Sequence, residues 1–343
     1  MKAMILKGIR DLSVDKTPLE PARLPVPAPG RGEILIRVSR CGVCHTELDE
    51  IEGRTPPSKL PIVLGHQIVG RVEKAGEDAG RFRPGERVGV AWINSACGRC
   101  KFCLQGMENL CDDFSATGRD ADGGYAEYTV VREKFAYGIP EVFSDSEAAP
   151  LLCAGAIGYR SLWLAGLKDG DSLGLTGFGA SGHLVLKMAG YRYPASKVFV
   201  FSRTEEERRF ARELGAEWAG AIEEEPPEKL HAIIDTTPAW KPVVLALRAL
   251  EKGGRLVINA IRKEDRDKAE SFPGLDYARD LWMEKEIKSV ANITRRDVVE
   301  FLSLAAEIPI RPEIEEYRLE DANKALLELR ERRIRGAKVL KIE

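Results

Sequence analysis

Through the first third of the chain, apolar residues come in short runs broken by Gly and Pro. Ala3–Leu6, Glu33–Val38, Ile62–Leu64, Val69–Val72 and Arg87–Val90 have the length and β-branched content of strands. Ala75-Gly76 and Arg83-Pro84-Gly85-Glu86 mark turns. Pro18, Pro21, Pro25, Pro27 and Pro29 exclude a helix or a central strand between them, because each lacks a backbone donor. This part reads as a mostly β domain.

Near Ala154 the pattern changes. Leu173–Thr176, Val198–Phe201, Ala232–Ile234 and Leu256–Ile258 are short apolar runs, as strands buried on both faces require, and Ile287–Val290 is read as a fifth strand. Helix-like stretches lie between them at His183–Ala189, Glu205–Leu214, Pro242–Leu250 and Leu275–Met283. That alternation predicts a parallel α/β sheet. The tail carries two amphipathic stretches, Asp297–Glu307 and Leu319–Arg332, before a strand-like Ala337–Ile342. The predicted class is α/β, divided at 1–153, 154–292 and 293–343.

Composition narrows the function. At ~150 residues per domain, 343 residues suggest two domains. Lys+Arg 52 against Asp+Glu 54 gives a net charge of -2, which argues against general nucleic-acid binding. No apolar run approaches the ~20 residues of a membrane span. The opening Met-Lys-Ala-Met-Ile-Leu lacks a signal-peptide core, so a cytoplasmic protein is expected. Two Gln and five Asn among abundant Glu, Lys and Arg resemble thermophile composition.

The seven cysteines cluster, which in a reducing compartment points to metal before disulfides. Cys97, Cys100, Cys103 and Cys111 are separated by two, two and seven residues. Such turns bring thiolates to the tetrahedral corners zinc requires, whereas a ferredoxin run has its fourth Cys closer and followed by Pro. Four protein ligands leave no open position, so this zinc is structural. Cys44, His66 and Cys153 are each weak signals alone. Together they supply two thiolates and an imidazole, leaving zinc a position for substrate. Their spacing does not join them.

Gly177-Phe178-Gly179-Ala180-Ser181-Gly182 follows a predicted strand and opens a predicted helix. In that context Gly-x-Gly-x-x-Gly is a dinucleotide fingerprint, with the pyrophosphate at the helix N-terminus. The next strand ends in Ser202-Arg203 rather than an acidic residue. Loss of that carboxylate and gain of Arg203 favour NADP, with NAD as the alternative. Glu205–Arg212 reads as a solvated helix face, with Arg208 a secondary candidate for a 2′-phosphate contact.

These motifs, with Cys-Gly-Val-Cys-His-Thr-Glu-Leu from Cys41, Gly-His-Gln from Gly65 and Leu-Leu-Cys-Ala-Gly from Leu151, resemble the medium-chain zinc-dependent alcohol dehydrogenases. The resemblance runs from end to end. It implies a GroES-like catalytic domain with an inserted Rossmann domain, the C-terminal tail returning to the first. It also implies two zincs per chain, one on Cys44, His66 and Cys153 and one on the four-Cys lobe. Thr46 matches the hydroxyl that bonds the alcohol and starts a proton relay, and His45 a basic position near the cofactor pyrophosphate. Glu47 matches the acid that orients the zinc-ligand imidazole, and Trp92 a wall of the substrate pocket. Asp49 stands where many relatives have the His that passes the proton to solvent. Gln67 stands where they have a Glu near the metal.

The implied activity is reversible NAD(P)-linked oxidation of primary or secondary alcohols to aldehydes or ketones. Polyol, amino-alcohol or aromatic-alcohol dehydrogenases share the scaffold, and a non-catalytic zinc and nucleotide-binding protein is the reading from another class. Partners are then a small-molecule substrate and further copies of the chain, as a homodimer or homotetramer, with no nucleic acid and no membrane.

Overall fold

Glu33–Val43, 11 residues long, organises the β-rich part. In a computed structural model describing residues 1–264, 267–308, 310–331 and 336–343, this strand has three sheet neighbours. Ile68–Ala75 pairs along nearly its whole length, Tyr128–Arg132 with its first half and the C-terminal strand Ala337–Lys341 with its second. Arg87–Val90 and Ala136–Gly138 extend the sheet on one side, and Ile314–Arg318 on the other. Its apolar positions, among them Ile34, Ile36, Val38 and Cys41, enter one core with Leu6, Ile68, Val90, Tyr125 and Leu340.

Leu19–Arg23 forms an antiparallel edge strand against Lys2–Leu6, with Pro21 opposite Met4. Proline is tolerated there because an edge strand leaves its outer side unpaired. The core of this unit comprises Met1–Cys153 and Thr294–Glu343.

Ala154–Ile293 forms the second unit. Its six parallel strands lie in the spatial order Trp218–Gly220, Lys197–Phe201, Ser172–Thr176, Leu230–Asp235, Leu250–Ile258, Glu286–Ser289. This is the doubly wound order in which the chain reverses direction across the sheet between the first and fourth strands in sequence. Ser172–Thr176 is buried at every position, as a central strand covered by helices must be. The helices Ala180–Arg192, Glu205–Glu213 and Lys241–Ala249 connect the strands.

Two predicted helices change. Leu275–Met283 is instead a π-helical turn, Tyr277–Leu281, ending where Met283 and Glu284 take positive φ. Two left-handed residues in succession cannot continue a right-handed helix. The tail helix spans Ala322–Arg330 after a 3-10 turn at Leu319–Asp321, and the predicted end at Arg332 lies outside the described residues. Among the described residues, no helix is long and apolar enough to cross a membrane.

Candidate active site

Glu33–Val43 runs directly into Cys44, which caps the helix His45–Ile51. Glu47, in the first turn of that helix, accepts the Cys44 backbone N–H on Oε2 at 2.7 Å. Its Oε1 lies 2.6 Å from His66 Nδ1, both side chains being buried. One carboxylate thereby fixes the backbone of one candidate ligand and the ring of another, an arrangement that sets tautomer and orientation at metal sites.

The other ring nitrogen, His66 Nε2, lies 3.3 Å from Cys153 Sγ, and Cys153 Sγ lies 3.9 Å from Cys44 Sγ. All three donor atoms fall within 4.8 Å of one another. Zinc–sulfur bonds of ~2.3 Å at tetrahedral angles put two thiolates ~3.8 Å apart, so this donor set fits zinc. Cys153 sits in a π-helical turn, Leu151–Gly155. Such wide turns recur at functional sites because they re-aim a side chain out of the regular helical rows.

Protons are shared unevenly among the three donors. The hydrogen bond shared with Cys153 holds the Cys44 thiol well below its ordinary value despite burial, and raises Cys153 in turn. Burial pulls His66 down, but the Glu47 carboxylate and bonds to Cys44 and Glu47 outweigh it and leave the imidazole well above its usual range.

Thr46 Oγ1 lies 3.6 Å from Cys44 Sγ, next to the donor set. His45 is exposed. Asp49 is buried, and its Oδ1 accepts from Arg54 Nε at 2.5 Å. Its carbonyl also accepts the backbone N–H of Arg54 at 2.8 Å. Sequence reasoning missed Arg54, and a relay through Asp49 must share the carboxylate with it. Gln67 is buried over Gly42, where a Cβ would collide with its amide. Trp92 belongs to the hydrophobic core, stacked on Phe114 at 5.3 Å with Arg119 over its ring.

In the lobe, Cys97, Cys100, Cys103 and Cys111 bring their four sulfurs within 4.8 Å of one another. Backbone N–H groups point at them: Cys100 N lies 3.3 Å from Cys97 Sγ and Cys103 N 3.5 Å from Cys100 Sγ. Bonds from the Arg99 and Cys100 backbones bring Cys97 down to about 6. Burial pushes Cys103 up to about 12, so the fit to zinc rests on the four gathered sulfurs, a complete tetrahedral set. Buried Glu108 ties the lobe to the helix Arg295–Glu307, accepting the backbone N–H and Nε of Arg295, both at 2.8 Å.

In the second unit, Gly177 takes φ +82, and a Cβ there would press on Thr236 Oγ1 at 2.7 Å. Gly182 has the Gly177 carbonyl oxygen 2.7 Å from where its Cβ would be. Gly179 caps the helix Ala180–Arg192 and has open space before it. Tight turn, open approach and close helix packing are the three requirements of a dinucleotide turn. Ala180 and Ser181 lie in the first turn of this helix, whose free N–H groups suit a pyrophosphate. The residues present therefore fit a dinucleotide. The remaining histidines have local partners: His183 Nδ1 is 3.0 Å from the Gly179 carbonyl, and His231 Nδ1 accepts the Ser172 N–H at 3.0 Å.

Ser202 is buried at the end of Lys197–Phe201, and Arg203 beyond it is exposed. The Ser202 hydroxyl donates to Glu207, a residue that sequence reasoning left on the solvated helix face. Arg208 donates to the Ser202 carbonyl at 2.9 Å and to Glu205 at 2.9 Å.

Residues 30–141 match the alcohol dehydrogenase GroES-like domain. The chain is 42% identical over 334 residues to the "Probable alcohol dehydrogenase AdhA" of Mycobacterium tuberculosis, covering 96% of this chain and 94% of that one. It belongs to the medium-chain zinc-type alcohol dehydrogenases. Among solved structures, an NAD-dependent alcohol dehydrogenase superposes with TM-score 0.88 at 25% identity, over 100% of both chains. The cobalt- and zinc-bound thermostable alcohol dehydrogenase of Pyrobaculum aerophilum gives TM-score 0.87 at 25% identity, over 100% of this chain and 99% of that one. As a member of the alcohol dehydrogenase family, the chain is an oxidoreductase acting on alcohols.

Proposed function

We propose that the chain catalyses reversible oxidation of primary and secondary alcohols to aldehydes and ketones, with one zinc for catalysis, one for structure and a nicotinamide dinucleotide as hydride acceptor. The observation that carries this is the donor set Cys44, His66 and Cys153 with Glu47 behind it. Three protein ligands leave zinc open to substrate, which an inert structural site has no need of. When bound, zinc supplies Lewis acidity that lowers the pKa of a hydroxyl from ~16 toward ~7, and the nicotinamide supplies the hydride acceptor.

The remaining work falls to the protein. Cys44, His66 and Cys153 would hold the catalytic ion, and Cys97, Cys100, Cys103 and Cys111 the structural one. Glu47 keeps His66 Nε2 directed at the thiols. Thr46, beside Cys44, takes the hydroxyl proton of the alcohol and passes it outward. Asp49, whose carboxylate is shared with Arg54, would take the relayed proton or hold the water that carries it to solvent. Trp92, backed by Phe114, would bound the pocket and favour small or unbranched alcohols. Gly177, Gly179, Ala180, Ser181 and Gly182 would cradle the pyrophosphate. Ser202 and Arg203 would lie at the adenosine ribose. The ground for NADP there was the missing carboxylate, and Glu207 returns one to Ser202.

We take residues 1–153 and 293–343 as the catalytic domain and 154–292 as the nucleotide domain. The setting is cytoplasmic, consistent with seven cysteines that are all free. Initial rates on zinc-loaded protein, with linear, branched, benzylic and polyhydroxy alcohols and each of NAD and NADP, test the reading. Turnover of simple alcohols is expected; no turnover with any pair at two zincs per chain would end it.

The sheet edge Glu286–Ser289 supports self-association. Every residue of this edge strand is exposed, including Ile287, and Tyr277, Trp282 and Met283 just before it in sequence are exposed as well. An open strand edge is a ready template for a second copy. Light scattering is expected to give a homodimer or homotetramer, and Ile287→Lys with Trp282→Glu to give monomer; a monomeric parent chain would refute this.

A further inference from the structure

The fragment Thr204-Glu205-Glu206-Glu207 has the form of a capping box, in which the third helical residue reaches back to the N-cap backbone N–H. Thr204 does its part and accepts the Glu207 N–H at 3.2 Å. The Glu207 side chain does not close the box. It turns instead to the end of Lys197–Phe201, where the buried Ser202 hydroxyl donates to its Oε2.

The surrounding groups hold this carboxylate in place. Ser202 is fixed by its N–H to the Gly220 carbonyl at 2.9 Å. Arg208 bonds the Ser202 and Arg203 carbonyls and Glu205, and Arg212 bonds Glu205 and the Ala219 carbonyl at 3.0 Å. Both helix arginines nearest the strand end are therefore engaged with carbonyls and with Glu205. The acid left facing Ser202 is Glu207.

In dinucleotide folds this strand end carries an acid that accepts the ribose hydroxyls, or a cation that accommodates a 2′-phosphate. We propose that Glu207 takes the acid's place from the helix: held at Ser202, its carboxylate accepts a ribose hydroxyl and repels a 2′-phosphate, so that the chain selects NAD over NADP. Arg203, exposed beyond Ser202, is then not the selecting residue. The inference rests on the dinucleotide reading of residues 177–182.

The test is calorimetric binding to the full zinc-loaded chain, using 5′-AMP against adenosine 2′,5′-bisphosphate and NADH against NADPH. These ligands isolate the ribose site from turnover. The parent chain is expected to bind 5′-AMP and NADH more tightly. Glu207→Gln is expected to shift the NADPH-to-NADH affinity ratio toward NADPH by at least ~10-fold, the order expected when one charge at contact distance is removed. A parent chain that prefers NADPH, or a ratio unchanged in Glu207→Gln, overturns the assignment to Glu207. Failure of the parent chain to bind any of the four overturns the dinucleotide reading and the inference with it.

Discussion

Cys153→Ala is expected to remove one of two zincs per chain and to lower kcat/KM for every alcohol by at least ~10³-fold. The size follows from the chemistry being lost. Bringing a hydroxyl pKa from ~16 to ~7 is worth ~12 kcal/mol at about 1.4 kcal/mol per unit. About a third of that, ~4 kcal/mol, already gives the ~10³-fold loss, comparable with the ~10²–10⁴-fold of a positioned acid–base group. Calorimetric affinity for NADH is expected to stay unchanged, because the glycine turn lies in the separate unit Ala154–Ile293. Metal analysis beside initial rates decides it. Activity within tenfold of the parent, or two zincs retained, would show that Cys153 is not a ligand.

Cys103→Ser acts on a different property. The lobe from Cys97 to Cys111 contains one four-residue helix, Lys101–Leu104, and one 3-10 turn, Glu108–Leu110. That is too little structure to hold itself, and zinc binding, worth ~10–16 kcal/mol in small finger peptides, would fold it. Loss of the ion would free the lobe and loosen the Glu108–Arg295 tie to the helix Arg295–Glu307. If ~3 kcal/mol of this reaches the catalytic unit, its Tm falls by about 6–12 °C. Differential scanning calorimetry with zinc counting is expected to show that fall and one zinc per chain, the remaining turnover being proportional to folded protein. An unchanged Tm with one zinc lost would mean that the lobe stands apart from the stability of the unit.

What could be read from the sequence depended on how locally each feature is encoded. The lobe cysteines lie within one short segment, so their spacing alone points to zinc before an iron–sulfur cluster. The glycine turn is local as a motif, although Gly177 answers to Thr236 at another strand's end, Gly182 to the Gly177 carbonyl, and Gly179 has open space. Cys44, His66 and Cys153 are far apart in sequence. No spacing rule joins them, and the family resemblance did so before the fold brought their donors together.

The features missed are tertiary. Ile314–Arg318 reads Ile-Glu-Glu-Tyr-Arg and was not recognised as a strand, because at the sheet margin mostly exposed positions need no apolar alternation. Leu275–Met283 has helical spacing but ends in left-handed backbone that periodicity does not disclose. Arg54 and Glu207 look like surface charges until Asp49 and Ser202 are found beside them.

The pairing of Lys338 with Val43 and of Leu340 with Cys41 has a consequence for biogenesis. During synthesis the residues leading into Cys44 emerge before Ala154–Ile293, while their partner strand Ala337–Lys341 emerges after it. Ala154–Ile293, one unbroken stretch, has all its strands before then and can finish folding first. Assembly of the metal-binding unit thus waits until its intervening partner unit has been made, and its long-range pairing makes it the slower half to mature.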